Sequence, residues 1–340
     1  MLVTGHTGFK GSWLVRILGV IGAEVHGFSL PAPEGLNLYR DAEISSFLES
    51  EFLGDIRDTE LVERVLKQIQ PDYVFHLAAQ SLVLESYLNP LDTISTNIQG
   101  TANIINAALR NDHVLGLLNV TTDKVYENNE GGNSYVETDP LGGEDIYSAS
   151  KASSELITKA MKFSYGRKNF QLNTARAGNV IGGGDWSVNR LIPDAIRASK
   201  SGSPIVIRNP SATRPWQHVL DCLSGYILIA ENSLVSQPKS LNLAYNFGPL
   251  ESISVIDVLN LLQKELGLKL CIQEETPVYS ERLSLNVNAT LARTDLGWNP
   301  RMTPAQSVQS AGKWYKSFLD GACAEYLVTE EINNYLSGGE

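Results

Sequence analysis

Five residues have the types and spacings to move protons at carbon centres. In "YSASK" the Tyr147 phenol and the Lys151 ammonium are four residues apart, so on a helix they share one face a turn apart. A phenol titrates near ~10, and a neighbouring cation favours its phenolate. Such a group can take a proton from a sugar hydroxyl while hydride leaves the same carbon. In "NVTTDKVYENN" Thr122, Asp123 and Lys124 follow an apolar run that could finish a buried strand. Asp123 beside Lys124 is either a surface salt bridge or an acid and a base for two further proton transfers.

Groups like these need rigid supports, and the chain alternates strand and helix patterns. It opens "MLVTGHTGFKGSWL": an apolar start, Leu2-Val3, runs into Gly5-x-x-Gly8-x-x-Gly11. An amphipathic segment from Ser12 to about Leu18 follows, then a second strand over 24–28. Glycines in that context allow a tight turn and a close approach of backbone to a pyrophosphate, which the helix N-terminus then faces. Lys10 either adds charge near the phosphates or is simply solvated. The second strand ends in Ser29-Leu30-Pro31, without the acidic residue that bonds an NAD ribose, so the fingerprint leaves NAD and NADP open. A first strand usually runs ~5–6 residues, and the short lead-in to Thr4-Gly5 suggests that a few N-terminal residues are missing.

Further along, Asp58 opens a helix to about Gln70, and 71–80 reads as a buried strand. Residues 87–110 read as one long helix, "VLGLLNVTT" as a strand, 148–166 as a helix and 170–182 as a strand. This order predicts an α/β fold with a doubly wound, parallel Rossmann sheet. After Asn179 glycine and proline thicken, which marks a smaller mixed α/β substrate-binding domain. "HVLDCLSGYILIAENS" reads as a helix, "LNLAYNFGP" as a strand returning to the main sheet, and "ISVIDVLNLLQKELG" as a helix. The expected division is interleaved: 1–179 joined by about 216–248 for the dinucleotide, 180–215 with 249–325 for the substrate. The terminal "EEINNYLSGGE" carries no functional signal.

Composition narrows the classes. The chain has 340 residues, 43% hydrophobic and 19% charged, which suits a folded protein of one large or two moderate domains. A net charge of −11 argues against nucleic acid as partner. No apolar run approaches the ~20 residues of a membrane span, and no signal peptide stands at the start, so a cytoplasmic location is expected. The three cysteines, Cys222, Cys271 and Cys323, are far apart, and the histidines form no ligand cluster, so neither disulfide nor metal is expected.

Taken jointly, GxxGxxG and YxxxK resemble the short-chain dehydrogenase/reductase family over residues 1–179, and Thr122 fits the hydroxyl that completes that family's catalytic set. Among its extended, nucleotide-sugar members, 4-epimerases carry a hydroxyl there without an acid/base pair, and most dehydratases carry Asp-Glu. The Thr-Asp-Lys variant is similar to the CDP-glucose 4,6-dehydratase family. "RAGNVIGGGDW" and "RPWQHVL" are the most specific of further similar stretches, which include "GDIRD", "VFHLAAQSLV", "STNIQGT" and "LGWNPR".

The resemblance implies tightly held, recycled NAD at Gly5, Thr7, Gly8, Phe9, Lys10, Gly11, Asp55, Ile56, Ala78, Ala79, Gln80 and Asn97, with Tyr147 and Lys151. It implies CDP-glucose as substrate, and deoxysugar and O-antigen biosynthesis as setting. The reaction would be oxidation at C4, loss of water across C5 and C6, and return of hydride to C6, with Asp123 and Lys124 divided between C5 and C6. Arginine matches phosphate bidentately, so Arg190, Arg208, Arg214 and Arg282 are candidates for the diphosphate, with Asn179 and Leu191, and with Trp186 and Trp216 as apolar walls. Relatives pair through helices such as 87–110 and 148–166, so a homo-oligomer, dimer or tetramer, is expected. The competing readings are a nucleotide-sugar 4-epimerase, which the Asp-Lys pair disfavours, and a nonenzymatic dinucleotide sensor of the same fold, which the intact Tyr and Lys disfavour.

Overall fold

The computed structural model describes residues 1–128, 134–167, 169–207, 209–235, 241–267, 271–275 and 285–338. Its centre is a parallel sheet of seven strands. These are β1 (Leu2–Thr4), β2 (His26–Ser29), β3 (Ser50–Leu53), β4 (Tyr73–His76), β5 (Gly116–Val120), β6 (Gln171–Ala177) and β7 (Ala244–Phe247). The order is β7-β6-β5-β4-β1-β2-β3, and every pairing is parallel.

Successive strand side chains point to opposite faces. Val3, Phe75 and Leu118 therefore enter one apolar core, with Trp13, Ile17 and Tyr226. Leu2, Val74 and Leu117 enter the other, with Val62, Leu66 and Ile104. Each such side chain contributes roughly 1.5–3 kcal/mol on burial, and the sheet is covered on both faces. Residues from between β6 and β7 and from beyond β7 add short two-stranded sheets. Val180–Ile181 pairs with Gln217–His218, Thr213–Arg214 with Ile253–Ser254, and Ile205–Ile207 with Ile272–Glu274.

Three local expectations change. The segment 87–110 is not one helix: Val83–Leu88 stops, Pro90–Ile94 restarts, Ser95–Gly100 is π-helical and Thr101–Leu109 is α-helical. The cause is Pro90, which forces Asn89 out of the helical region to φ −128°, ψ 66°. The strand expected over 170–182 breaks at Gly178-Asn179, where Asn179 takes φ +50°. The helix after the glycine turn runs Phe9–Val20 and is buried continuously from Gly11 to Leu18 rather than on one face. The reason is the C-terminal helix Ala324–Leu336, which covers its outer side. Arg16 donates to Thr329 Oγ1 at 2.7 Å, and Glu331 sits 3.0 Å from His218.

Candidate active site

The turn after β1 is a backbone cradle. Gly5 takes φ +77°, and a Cβ on Gly11 would lie 2.1 Å from the Gly5 carbonyl oxygen, so strand and helix meet at a distance only glycine allows. Helix Phe9–Val20 begins at Gly8 with no side-chain cap and no acid in its first turn. Its leading amides and positive dipole end suit an anion such as a dinucleotide pyrophosphate. Thr7 turns away, bonding Ser29 Oγ at 2.8 Å and donating to the Leu30 carbonyl at 3.0 Å.

Phe9 and Lys10 face the cavity beyond the cradle. Lys10 is half-buried rather than solvated, with its ammonium 3.4 Å from the Tyr226 hydroxyl. Burial is the main force pulling its pKa down.

The flanking candidates divide. Ala79 lines the cavity, and the Ala78 amide donates to Thr4 Oγ1 at 3.2 Å. Asn97 braces that loop: it accepts from the Gln80 amide at 2.9 Å and donates to the Gln80 carbonyl at 3.0 Å and Ser150 Oγ at 2.9 Å. Asp55 is ion-paired with Arg57, which lowers its pKa, and Ile56 is packed in the core.

Tyr147 and Lys151 lie in the first turns of the helix Ile146–Tyr165, whose N-cap, Asp145, accepts from the Ser148 amide. Both are buried. Lys151 Nζ donates to the Val120 carbonyl at 3.1 Å, and burial, helped by Lys10, pulls its pKa down to about 7. The Tyr147 pKa moves the other way from the sequence-based expectation. Burial pushes it up to about 12, and the hydrogen bond with Thr122 offsets only part of that. A positive charge against the ring face is what would restore an accessible phenolate.

Past Val120 the chain keeps one more ladder bond, Thr121 amide to Ala175 carbonyl at 2.9 Å, then folds into a single 3₁₀ turn, Asp123–Val125. Thr122 caps that turn, accepting from the Lys124 amide at 3.3 Å. Asp123 is 1% exposed, and its carboxylate accepts from Thr122 Oγ1 at 3.0 Å and Asn179 Nδ2 at 3.2 Å. It fits because position 178 is glycine: a Cβ there would lie 1.9 Å from Asp123 Oδ2. Among the described residues Asp123 and Lys124 form no ion pair with each other, and Lys124 projects into the cavity. The surface salt bridge is therefore not what these residues make.

Thr122, Asp123, Lys124, Tyr147 and Lys151 line one cavity of about 650 Å³. Asn179, Arg190, Leu191, Arg214 and Trp216 line the same cavity. Arg214 is buried and donates to the Thr213 carbonyl at 2.9 Å; Arg190 lies 3.7 Å from Asp185. Trp186 is not brought there. Its ring packs against Tyr315 and Phe318 at 5.3 and 5.7 Å, because the helix Pro304–Leu319 offers an aromatic ridge beneath it. Arg208 and Arg282 fall outside the described residues.

Sequence reasoning missed Gly178. It also missed the far wall formed by Ile205–Ile207, Asn209, Ala212 and Val255. Strands so short leave no periodic signal, and a lone glycine gives no hint of the carboxylate beside it. No group of His, Cys, Asp and Glu among the described residues is arranged to hold a metal, and no described helix is long and apolar enough to cross a membrane.

The description "GDP-mannose 4,6 dehydratase" belongs to the family whose sequence profile matches residues 2–311. A CDP-glucose 4,6-dehydratase of Salmonella typhimurium is 37% identical, over 99% of this chain and 96% of its own. A probable dTDP-glucose 4,6-dehydratase of Sinorhizobium fredii is 29% identical over 93% of this chain and 92% of its own. The solved dTDP-glucose 4,6-dehydratase of Streptomyces venezuelae, with NAD and TYD bound, superposes with a TM-score of 0.80 at 26% identity, covering 93% of this chain and 96% of that one.

Proposed function

We propose that this chain, which belongs to the GDP-mannose 4,6 dehydratase family, is a hydro-lyase that converts CDP-glucose to CDP-4-keto-6-deoxyglucose with NAD as its recycled cofactor. The observation that carries this reading is the one cavity on which Tyr147, Lys151, Thr122, Asp123 and Lys124 converge. A 4-epimerase needs the first three of these but has no use for an acid and a base directed at two further carbons. The nucleotide follows the Salmonella relative. NAD follows the Streptomyces structure and the fit of a pyrophosphate to the glycine cradle.

NAD held in that cradle would supply the hydride acceptor for C4 of the sugar and the hydride donor for C6. Tyr147, which lines the cavity together with Thr122, takes the proton of the C4 hydroxyl. The C4 ketone acidifies the C5 proton, and Lys124, the half-buried member of the pair, removes it. Asp123 gives a proton to the departing C6 hydroxyl, so one water leaves and the C5–C6 bond becomes unsaturated. When hydride is restored to C6, the protonated Lys124 gives its proton back to C5, and the proton held by Tyr147 replaces the one Asp123 gave up. Asp123, clamped by Thr122 and Asn179, and Lys124, unpaired with it, can serve different carbons because the 3₁₀ turn sends adjacent side chains apart. Lys151 holds its position through Val120 and orders the nicotinamide ribose. Arg190 and Arg214 receive the diphosphate, with Trp216 and Leu191 as apolar wall.

We also read 180–215 with 249–325 as the unit that closes over the sugar nucleotide, and the cytoplasm as its location, where three free thiols stay reduced. Leu88, Leu91, Leu156 and Phe163 stand exposed on the helices Val83–Leu88, Pro90–Ile94 and Ile146–Tyr165, the face through which two copies would pair. Incubation with CDP-, UDP-, dTDP- and GDP-glucose in parallel tests the main reading. A 4-keto-6-deoxy product from CDP-glucose alone is expected; equal turnover of dTDP-glucose, or only a C4 epimer, overturns it.

A further inference from the structure

Behind the cavity wall, one buried ion pair joins the elements that carry the reactive groups. Glu155 lies one helical turn beyond Lys151, and Arg176 lies in β6. Arg176 Nε and Nη2 donate to the two Glu155 oxygens at 2.9 and 2.8 Å, and both side chains are almost wholly buried. Neither lines the cavity. Thr121 Oγ1 donates to Glu155 Oε1 at 2.6 Å, and Arg176 Nη1 donates to the Tyr126 hydroxyl at 2.9 Å. That hydroxyl in turn donates to Asn246 on β7 at 2.6 Å. Thr121 and Tyr126 are the residues just outside Thr122–Val125, so both ends of the reactive turn hang from the same pair.

Stability does not explain such a device. A buried ion pair is often matched or bettered by well-packed apolar residues, because desolvation offsets the Coulomb gain. Its hydrogen bonds do have fixed directions, and here they fix two chain segments against a third. Tyr147 and Lys151 have further anchors, the Asp145 cap and the Val120 carbonyl. The single 3₁₀ turn has far fewer internal bonds. We propose that Glu155 and Arg176 are positioning residues that, through Thr121 and Tyr126, set where Asp123 and Lys124 stand relative to Tyr147. This rests on the roles given to that turn above. It follows that loosening the pair's grip should slow the C5 and C6 steps more than C4 oxidation.

The test uses Thr121→Val, Thr121→Ser and Tyr126→Phe beside the unaltered protein. A displacement of about 1 Å can slow a reaction ~100-fold, so Thr121→Val should lower kcat about 10- to 100-fold with KM nearly unchanged. Deuterium entry at C5 from heavy water should slow equally. Backbone amide exchange over 120–128 should quicken. Thr121→Ser, which keeps the hydroxyl, should restore all three readings. The double variant Thr121→Val/Tyr126→Phe should lose less than the product of the single losses, since both act through one pair. Unaltered kcat in Thr121→Val, a Ser variant as slow as the Val variant, or unchanged amide exchange would each overturn the proposal. An unaltered protein inactive on CDP-glucose would instead strike the proposed function, and amide exchange would still decide the role of the pair.

Discussion

On the cofactor side of the cavity the reactive groups hang from a strand end of the parallel sheet or from the first turns of a helix. Gly5 follows β1, Val120 ends β5, and Tyr147 and Lys151 open a 20-residue helix. On the substrate side the groups sit on two- and three-residue strands, the loops between them and the start of the helix Leu191–Ser201. The first side places atoms for bond making; the second surrounds a ligand and follows its shape. A rigid sheet edge holds proton donors and acceptors within the tolerance that catalysis demands, whereas loops spread recognition over many contacts of modest size. Damage on the cofactor side should therefore appear in kcat, and damage on the substrate side in KM.

Tyr147→Phe should give the largest effect. Loss of the proton acceptor should lower kcat by about 10²- to 10⁴-fold, with substrate affinity by calorimetry changed only a few-fold. Turnover near the normal rate would remove Tyr147 from the chemistry.

The Asp123–Lys124 turn should split the reaction. Lys124→Ala should still oxidise C4 but stop deuterium entry at C5, while Asp123→Asn should allow that exchange and slow loss of water. Normal C5 exchange in Lys124→Ala would place the base elsewhere.

Gly178→Ala tests whether the packing behind Asp123 matters as much as the residue itself. The added methyl overlaps the carboxylate, which must swing out, and kcat for water loss should fall about 100-fold while C4 oxidation persists.

Arg214→Gln should act on the other side of the cavity. Loss of a charged hydrogen bond of ~1.5–3 kcal/mol should raise KM roughly 10- to 100-fold and spare kcat. A kcat loss of that size with KM unchanged would erase the contrast between the two sides.

Trp186→Phe should do least to catalysis, with kcat and KM within about twofold. It should cost about 1 kcal/mol of stability on thermal unfolding, because the indole packs on Tyr315 and Phe318 rather than on substrate.

The division also separates what could be read early from what could not. The glycine turn and the Tyr-Lys pair are local patterns: three glycines in a short turn, and two residues one helical turn apart. Their geometry follows from φ/ψ limits and the helical repeat, so residue order alone determines it. The alternation of strand and helix likewise determined a parallel sheet, and Pro90 was the visible signal for the break that divides 87–110. The arginines and tryptophans of the substrate side were picked by residue type, which carries no direction. Arg190, Arg214 and Trp216 face the cavity, and Trp186 does not.

What the order of residues determined is the chemistry available: a phenol and an amine on one helix face, an acid and a base at a strand end, and a cradle for phosphate. What only the tertiary structure decided is how those groups are tuned. Asp123 is held by Asn179, 56 residues away, in the space that Gly178 leaves open. Lys151 is drawn towards neutrality and Tyr147 towards its protonated form by burial that no single segment provides. Glu155 and Arg176 meet only when the helix Ile146–Tyr165 packs on β6. Hydrogen bonds, desolvation and charge act over a few ångströms of space, and the sequence records distance only along the chain.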